Sequence, residues 1–145
     1  MEKENFNLQS SFGYHFSIIF INIKKSMELK LKPYNITHLQ FSILINIYKN
    51  NVTTQKELLK YTYGDETSIT RLIDRLEVKG YLQRIACEND KRKKELKLTQ
   101  SGINLAEEVI SCAREVNAEL VKDMDNEEAK QLLNLLQKVN ITYDD

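Results

Sequence analysis

The sequence DETSITRLIDRLEVKGYLQR, residues 65–84, decides the fold of this chain. Asp65 is a suitable helix N-cap, and Gly80 stands where a helix C-cap favours glycine. Between them, apolar residues at helical spacing predict one buried face made of Ile69, Leu72, Ile73 and Leu76. The opposite face carries hydrogen-bonding or cationic side chains, namely Thr67, Ser68, Thr70, Arg71, Asp74 and Arg75. Because a merely solvated face would carry a Glu/Lys mixture, this pattern indicates a surface that contacts a partner.

A basic hairpin is predicted directly after this helix. Residues 81–86 and 95–99 are strand-like runs, and the polar residues 87–94 between them form the expected tip. Residues 79–97 contain seven positive and three negative side chains, a local excess of four. Four of the positive charges lie in the tip: Lys91, Arg92, Lys93 and Lys94. The hairpin therefore places a cationic arm beside the polar helix face.

Two shorter helices are predicted before residue 65. Thr37 and Gln40 form a capping box, and the helix that they open has a predicted buried face of Phe41, Leu44, Ile45 and Tyr48. Thr54 and Glu57 repeat the capping-box pattern and open a helix of about two turns, with Leu58 and Leu59 on its apolar side. A short helix, a polar-faced helix and a basic hairpin in this order are typical of a winged helix-turn-helix.

Long amphipathic helices are predicted at both ends of the chain. The first covers residues 6–31 and ends before Pro33, because proline lacks an N–H and disfavours a helical residue before it. Its apolar stripe consists of Phe12, Phe16, Ile19, Phe20, Ile23 and Met27. Ile18 and Ile21 form a second apolar side, so this helix needs two neighbours, and we expect one of them to be a second subunit.

Thr99 and Asp125 are the predicted N-caps of two C-terminal helices. The first has an apolar stripe of Leu105, Val109, Cys112, Ala113, Val116 and Leu120, and the second has one of Ala129, Leu132, Leu133, Leu136 and Val139. We therefore predict a mainly α fold with a small β-hairpin wing in a single domain, residues 1–145. Residues 34–102 form the expected winged helix-turn-helix, and residues 1–33 and 103–145 form a helical dimerisation region.

The composition excludes several classes of protein. With 145 residues, of which 41% are hydrophobic, the chain has the size of one domain with its own core. Lys plus Arg and Asp plus Glu both total 21, so the net charge is zero and charge alone indicates no partner. One Pro and four Gly favour long helices over a many-turned sandwich or barrel.

The sequence also lacks the motifs of catalytic and metal sites. The glycines are too far apart for a phosphate-binding loop, and the potential soft metal ligands are scattered: His15, His38, Cys87 and Cys112. We expect no metal, no cofactor and no enzyme activity. The apolar run at residues 16–23 is too short to span a membrane, and two distant cysteines are typical of a reducing compartment. We therefore expect a cytoplasmic protein without a membrane anchor.

A winged helix-turn-helix assigns roles in DNA recognition to the polar residues. A helix fits the major groove, where its N-terminal residues, here Thr67 and Ser68, meet base edges. Arg71 has the fork that bonds guanine O6 and N7, whereas Arg75 suits a phosphate. The tip lysines suit phosphate neutralisation, and Arg92 suits insertion into a narrow minor groove. The predicted DNA contacts are Thr54, Gln55, Thr67, Ser68, Thr70, Arg71, Arg75, Lys91, Arg92, Lys93 and Lys94.

Residues 35–105 resemble the MarR family of bacterial transcriptional regulators. The resemblance rests on TRLIDRLE in the polar-faced helix, on Lys79-Gly80 after it, and on Asp90-x-Arg92 in the wing. The run Leu98-Thr99-x-x-Gly102 at the start of the next helix and NITHLQFSIL at residues 35–44 also match the family pattern. The flanking helices are similar to the family only in length and amphipathicity.

The resemblance implies a homodimer in which the first and the last two helices interlock. Each subunit would bind half of a near-palindromic operator on double-stranded DNA, and the protein would act as a repressor. Many members are released from DNA by a small aromatic ligand bound between the dimerisation and DNA-binding parts. The residues that would line such a pocket here are Tyr14, His15, Ile18, Phe41 and Tyr48.

Two alternative functions remain open from the sequence. The wing and the polar helix face could bind an acidic protein partner instead of DNA. Cys87 stands at the base of the wing, where oxidation would move the arm, so a thiol-based redox-responsive regulator is the other alternative. Peroxide-sensing members of the family carry their reactive cysteine early in the first helix, and this chain has no cysteine before Cys87.

Overall fold

The computed structural model describes residues 5–142 and consists mainly of helices. The helices are α1 (Phe12–Leu31), α2 (His38–Lys49), α3 (Gln55–Tyr61), α4 (Glu66–Val78), α5 (Gln100–Leu120) and α6 (Asn126–Leu136). Strands β1 (Leu82–Ala86) and β2 (Lys94–Leu98) form an antiparallel hairpin between α4 and α5, in which Leu82 pairs with Leu98. The predicted fold class, mainly α with a hairpin wing, is confirmed.

Side-chain caps begin the helices at the predicted positions. Thr37 opens α2 and Asp125 opens α6, each with both hydrogen bonds of a capping box. Thr99 Oγ1 accepts from the Gly102 N–H at 3.1 Å and begins α5. Thr54 caps α3 but forms no full capping box, because the Glu57 carboxylate accepts from the Thr54 hydroxyl rather than from its backbone.

The first helix is shorter than predicted. Residues 8–10 form a separate 3-10 turn, and α1 begins only at Phe12, because the Ser11 side chain accepts from the Tyr14 N–H and caps the helix there. The predicted end before Pro33 is correct, since α1 ends at Leu31 and Pro33 lies in a 3-10 turn.

The core lies where α2, α4 and α5 meet the C-terminal half of α1 and the base of the hairpin. The predicted face of α2 is partly wrong. Phe41 and Leu44 are buried, but Ile45 and Tyr48 are only half-buried and Ile43 is fully buried. The buried face is rotated because α2 packs against α4 and β2 as well as α5.

Strand β2 lies one residue earlier than predicted, and β1 begins one residue later, at Leu82, but ends at Ala86 as predicted. Lys94 lies in β2 opposite Ala86 and not in the tip. Leu96 and Leu98 of β2 point into the core, and the Leu96 N–H donates to the Thr53 carbonyl at 2.7 Å. The base of the wing is therefore fixed to the domain, while its tip projects outward.

Large apolar side chains of α1 and α6 remain uncovered in the single chain. Phe12 is 83% exposed, and α6 contains no buried residue although its predicted stripe is apolar. The exposed apolar residues of α1 and α6 are Phe12, Phe16, Ile18, Ile19, Phe20, Ile21, Leu29, Leu133, Leu135 and Leu136. None of the helices in residues 5–142 is long and apolar enough to cross a membrane.

Candidate nucleic-acid interface

The α4 helix presents its polar face outward because its apolar stripe is buried. Ile69, Ile73 and Leu76 are inaccessible to solvent, and Leu72 is half-buried. The opposite face bears the predicted contact residues, of which Thr67, Arg71 and Arg75 are exposed and Ser68 and Thr70 are half-buried. This arrangement confirms the amphipathic helix predicted between Asp65 and Gly80.

The N-terminus of α4 is held by Asp65. Its Oδ1 accepts from the Ser68 N–H at 2.7 Å. The hydrogen bond from the Ser68 backbone lowers the pKa of Asp65 below its ordinary value, so the capping carboxylate is charged at neutral pH. This end of the helix is the one that carries Thr67 and Ser68.

The start of α3 is joined to the middle of α4. Gln55 Nε2 donates to Thr70 Oγ1, and the Thr70 hydroxyl donates to the Glu66 carbonyl at 2.9 Å. Two predicted contact residues from different helices are therefore brought together. The Thr54 hydroxyl, by contrast, is used within α3, where it bonds to Glu57 as acceptor and as donor.

The polar face of α4 forms an open depression of 450 Å³. Its lining residues are Glu66, Thr67, Thr70, Arg71 and Asp74. A shallow, polar and open surface of this kind suits contact with a macromolecule better than enclosure of a small molecule.

The wing tip carries exposed cations on an ordered turn. Asp90 Oδ1 accepts from the Arg92 N–H at 3.0 Å, and the Lys93 N–H donates to the Asp90 carbonyl at 3.0 Å. Asp90 therefore orders the backbone of the tip. Lys91, Arg92, Lys93 and Lys94 are exposed.

The charges of this surface are available to a partner. Within residues 5–142, the basic side chains that lie within 4.0 Å of a carboxylate are those of Lys30 and Arg84. Arg71, Arg75 and the tip cations have no such internal ion pair in that part of the chain. A cation without an internal ion pair gives up only water and counterions when it binds a phosphate or a guanine, so no ion pair within the protein has to break.

Arg84 belongs to this region, although no sequence pattern singles it out as a functional residue. It lies on β1 and its guanidinium pairs with Asp74 and Glu77 of α4. The signal in the sequence was the i, i+3 spacing of the two acids on the helix. That spacing does not show which cation reaches them.

A second groove, of 330 Å³, lies between α1 and α4. It is lined by Lys24, Glu28, Thr37, Leu39, Tyr63, Ser68, Arg71, Leu72 and Arg75. Beside it, His38 Nδ1 lies 3.0 Å from the Tyr63 hydroxyl, and Lys24 Nζ lies 5.5 Å from the centre of the Tyr63 ring. The groove includes two arginines of the α4 surface.

The five residues predicted to line a ligand pocket have different surroundings. The rings of Tyr14 and His15 meet edge to face, and Ile18 is exposed. Phe41 stacks on His38, whereas the Tyr48 hydroxyl donates to Glu107 Oε1 at 2.8 Å. The 330 Å³ groove contains none of them. A shared pocket for these residues stays a prediction.

The two cysteines have environments that do not favour oxidation. Burial, with the neighbouring Glu95 carboxylate, raises the pKa of the Cys87 thiol, which disfavours the reactive thiolate. Cys112 is buried, and its Sγ lies 3.6 Å from the Lys30 carbonyl. Within residues 5–142, no group of three or more His, Cys, Asp or Glu side chains is arranged to hold a metal ion.

A polar-faced helix with exposed arginines, carried on a helical core and flanked by a basic hairpin, defines a winged helix-turn-helix DNA-binding protein. Comparison with known proteins agrees with this class. The MarR family model matches residues 36–94. The multiple antibiotic resistance protein MarR of Escherichia coli is 35% identical over 125 residues, which cover 84% of this chain and 87% of that protein.

Two solved structures of DNA complexes are similar to this chain. A mutant MarR from E. coli complexed with operator DNA has a TM-score of 0.79 and 30% identity, covering 96% of this chain and 100% of that one. The S. aureus MepR–DNA complex has a TM-score of 0.74 and 29% identity, covering 88% and 95%. The chain belongs to the MarR family. It is a DNA-binding transcriptional regulator and not an enzyme.

Proposed function

We propose that this protein is a cytoplasmic, homodimeric repressor that binds a near-palindromic operator and leaves it when a small aromatic ligand binds. The observation that carries the proposal is the set of arginines and lysines on α4 and the wing that have no carboxylate partner within residues 5–142. A surface that folding leaves unneutralised, on a helix that fits the major groove, is suited to DNA.

In this proposal α4 enters the major groove with its N-terminal half. Arg71 lies one turn after Thr67 on the exposed face and bonds a guanine edge with two N–H groups. Ser68 and the Gln55–Thr70 pair contact neighbouring base or phosphate groups, since they border the same face. Arg75, a turn further on, contacts the backbone.

The wing tip contacts DNA beside the major groove. Lys91 and Lys93 of the tip and Lys94 at the start of β2 neutralise phosphates, and Arg92 enters the minor groove where it is narrow and strongly negative. The ordered turn around Asp90 supports this role because it holds the Arg92 backbone in one conformation. The E. coli and S. aureus relatives solved with DNA support the assignment of this face to nucleic acid.

The proposed dimerisation region comprises residues 1–33 and 103–145, and the DNA-binding region comprises residues 34–102. The uncovered apolar side chains of α1 and α6 support this division. A second copy would bury them and present two recognition helices with two-fold symmetry. Half-sites about one helical turn apart are then expected in the operator.

Ligand release is supported by the groove between α1 and α4. A molecule bound there touches an element of the dimerisation region and two arginines of the DNA-contacting helix. Lys24, Arg71 and Arg75 provide positive charge, and Tyr63 provides an aromatic face. A small aromatic anion therefore fits the lining of the groove. Bound there, it would pair with the Arg71 guanidinium, which would then no longer be available to DNA.

The test measures binding to a duplex from the DNA that flanks the protein's own coding region, identified by footprinting. We expect affinity to fall steeply with salt, and Arg71→Ala to cost about 1–3 kcal/mol on the specific site with little change on scrambled DNA. Arg75→Ala, a phosphate contact in this proposal, should weaken both duplexes equally. If the protein retards no duplex but binds an acidic protein through the same residues, the proposal is wrong and the protein-interaction alternative is correct.

A further inference from the structure

Arg84 connects the wing to the DNA-contacting helix at three points. Its Nη2 lies 2.7 Å from Asp74 Oδ1, and its Nη1 lies 3.1 Å from Glu77 Oε1. The Arg84 backbone N–H also donates to Glu77 Oε2 at 3.0 Å. The arginine side chain is only 18% exposed, although both carboxylates are more accessible. Arg84 is thus turned toward α4 and away from the solvent that surrounds the wing tip.

This arginine differs in its electrostatics from the others on the surface. Two carboxylates already neutralise it, so it has no free charge to offer a phosphate. A planar guanidinium held by two acids on one helix fixes direction as well as distance. Its contacts therefore help to set how β1 lies on α4.

The position of Arg84 in the hairpin makes this contact important for the wing. An isolated two-stranded hairpin is only marginally stable in water, so its orientation depends on what holds its base. Leu82, Leu96 and Leu98 anchor the base in the core by non-directional apolar contacts. The Tyr81 N–H also donates to the Leu76 carbonyl of α4 at 3.0 Å, and the ion pairs of Arg84 add directional side-chain contacts further along β1.

Asp74 has a second neighbour that makes its pairing relevant to recognition. Arg71 lies three residues earlier on α4, a spacing at which opposite charges pair along a helix. In the structure Asp74 pairs with Arg84 and not with Arg71. Arg84 thereby leaves the Arg71 guanidinium free for a base.

We infer that Arg84 is a positioning residue for DNA binding, which sets the angle between α4 and the wing so that Arg71 and Arg92 reach one site together. The inference rests on the proposed roles of α4 and the wing tip. If α4 and the wing are already held at the angle they have in the DNA complex, the wing contact of Arg92 costs less conformational entropy after α4 has bound. On a mobile wing the same contact would cost more. Removal of Arg84 should therefore uncouple the two elements.

The experiment is a double-mutant cycle on operator binding with the full-length protein. Arg84→Gln should lower affinity about three- to tenfold, and Arg92→Ala should lower it about tenfold in the wild-type background. In the Arg84→Gln background, the loss of affinity from Arg92→Ala should shrink to about twofold, because an uncoupled wing contributes little.

Arg84→Lys should restore part of the coupling, since lysine pairs with one carboxylate but lacks the planar fork of arginine. Lys49→Gln removes the same charge from the exposed end of α2, outside the proposed DNA contacts and the proposed dimerisation region, and should change nothing.

A second variant keeps the test informative if Arg84→Gln folds poorly. Asp74→Asn with Glu77→Gln removes both partners and leaves the arginine in place. If the two carboxylates affect DNA only through their charge, this variant should bind DNA more tightly, because two negative charges are removed near the contact surface. If they hold Arg84 and so position the wing, it should bind more weakly.

Additive losses in the cycle, wild-type affinity of Arg84→Gln, or tighter binding of the doubly neutralised variant would each overturn the inference. If Arg92→Ala alone binds normally, the proposed wing contact is wrong, and the inference that rests on it is wrong too. Thermal unfolding of each variant checks that affinities are measured on folded protein.

Discussion

His38 is the residue at which several elements meet. Its ring stacks on Phe41 and on Tyr63, and Phe20 of α1 packs against it. Its Nδ1 shares a hydrogen bond with the Tyr63 hydroxyl. Burial, helped by the Lys24 cation, lowers the pKa of His38 below its ordinary value of 6.5, and Glu28 opposes this shift. The folded protein therefore prefers the neutral imidazole.

This preference predicts a pH dependence of stability. Because the pKa in the folded state is lowered, the unfolded chain takes up the proton first as pH falls. The contribution of His38 to the free energy of unfolding is complete above pH 6.5. It is lost as the pH falls through that value toward the lower pKa of the folded state. We expect the free energy of unfolding, from urea titrations at fixed protein concentration, to decrease between about pH 7 and pH 5.

His38→Gln keeps a polar group beside Tyr63 but does not titrate, so it should lose less stability over this range than the wild type. His15→Gln, on the exposed side of α1, is the matched control and should behave as the wild type does. Equal pH dependence of the wild type and His38→Gln would contradict the assignment.

At the scale of elements, the junction between the hairpin and α5 depends on one close approach. Gly102 lies in the first turn of α5 against the backbone of Tyr81, and a Cβ atom at Gly102 would lie 2.0 Å from the Tyr81 carbonyl oxygen. The same carbonyl accepts from the Thr99 N–H at 3.1 Å. The start of α5 is thus packed directly on the start of the wing.

Gly102→Ala should therefore destabilise the protein by about 1–3 kcal/mol, because helix and hairpin must move apart. Gly13→Ala is the matched control, since the nearest atom to a Cβ at that position in α1 would be Ser11 Oγ at 3.9 Å, an ordinary contact. It should stabilise by about 0.5–1 kcal/mol, the usual gain of alanine over glycine inside a helix. Urea denaturation of both variants provides the measurement, and an unaffected Gly102→Ala would show that the junction is loose.

At the scale of the whole molecule, the distribution of apolar surface is uneven. The core is complete around α2, α4 and α5, while α6 and the outer sides of α1 are apolar and uncovered. Contiguous exposed apolar surface on a small protein marks an interface. The α6 stripe is apolar at helical spacing, yet within residues 5–142 no residue of α6 is buried.

A charge on this surface should separate the subunits of the proposed dimer. Leu133 of α6 is 62% exposed in the single chain, so Leu133→Asp leaves the fold of one subunit intact but places a carboxylate in the interface. Sedimentation should show monomers, and operator affinity should fall because each subunit then binds one half-site alone. Leu59→Asp on α3 adds the same charge outside α1 and α6 and should sediment as a dimer. A Leu133→Asp protein that stays dimeric would place the interface elsewhere.

The sequence by itself determined the helices, their caps and the wing. The capping boxes at Thr37 and Asp125, the buried stripe of α4 and the basic hairpin are set by residues within a few positions of each other, so local pattern was sufficient. The resemblance to the MarR family came from the same local motifs. The early break at Ser11 was missed, since the apolar period runs through it and only the cap interrupts the helix.

The tertiary structure alone decided which distant side chains meet. The pairing of Arg84 with Asp74 and Glu77, the hydrogen bond from Gln55 to Thr70, and the burial of Ile43 in place of Tyr48 all depend on how helices and strands are oriented on one another. Periodicity shows which face of an element is apolar, but not the neighbour that it meets or the angle at which they pack. These follow from the joint packing of all elements in three dimensions, to which every residue of the core contributes.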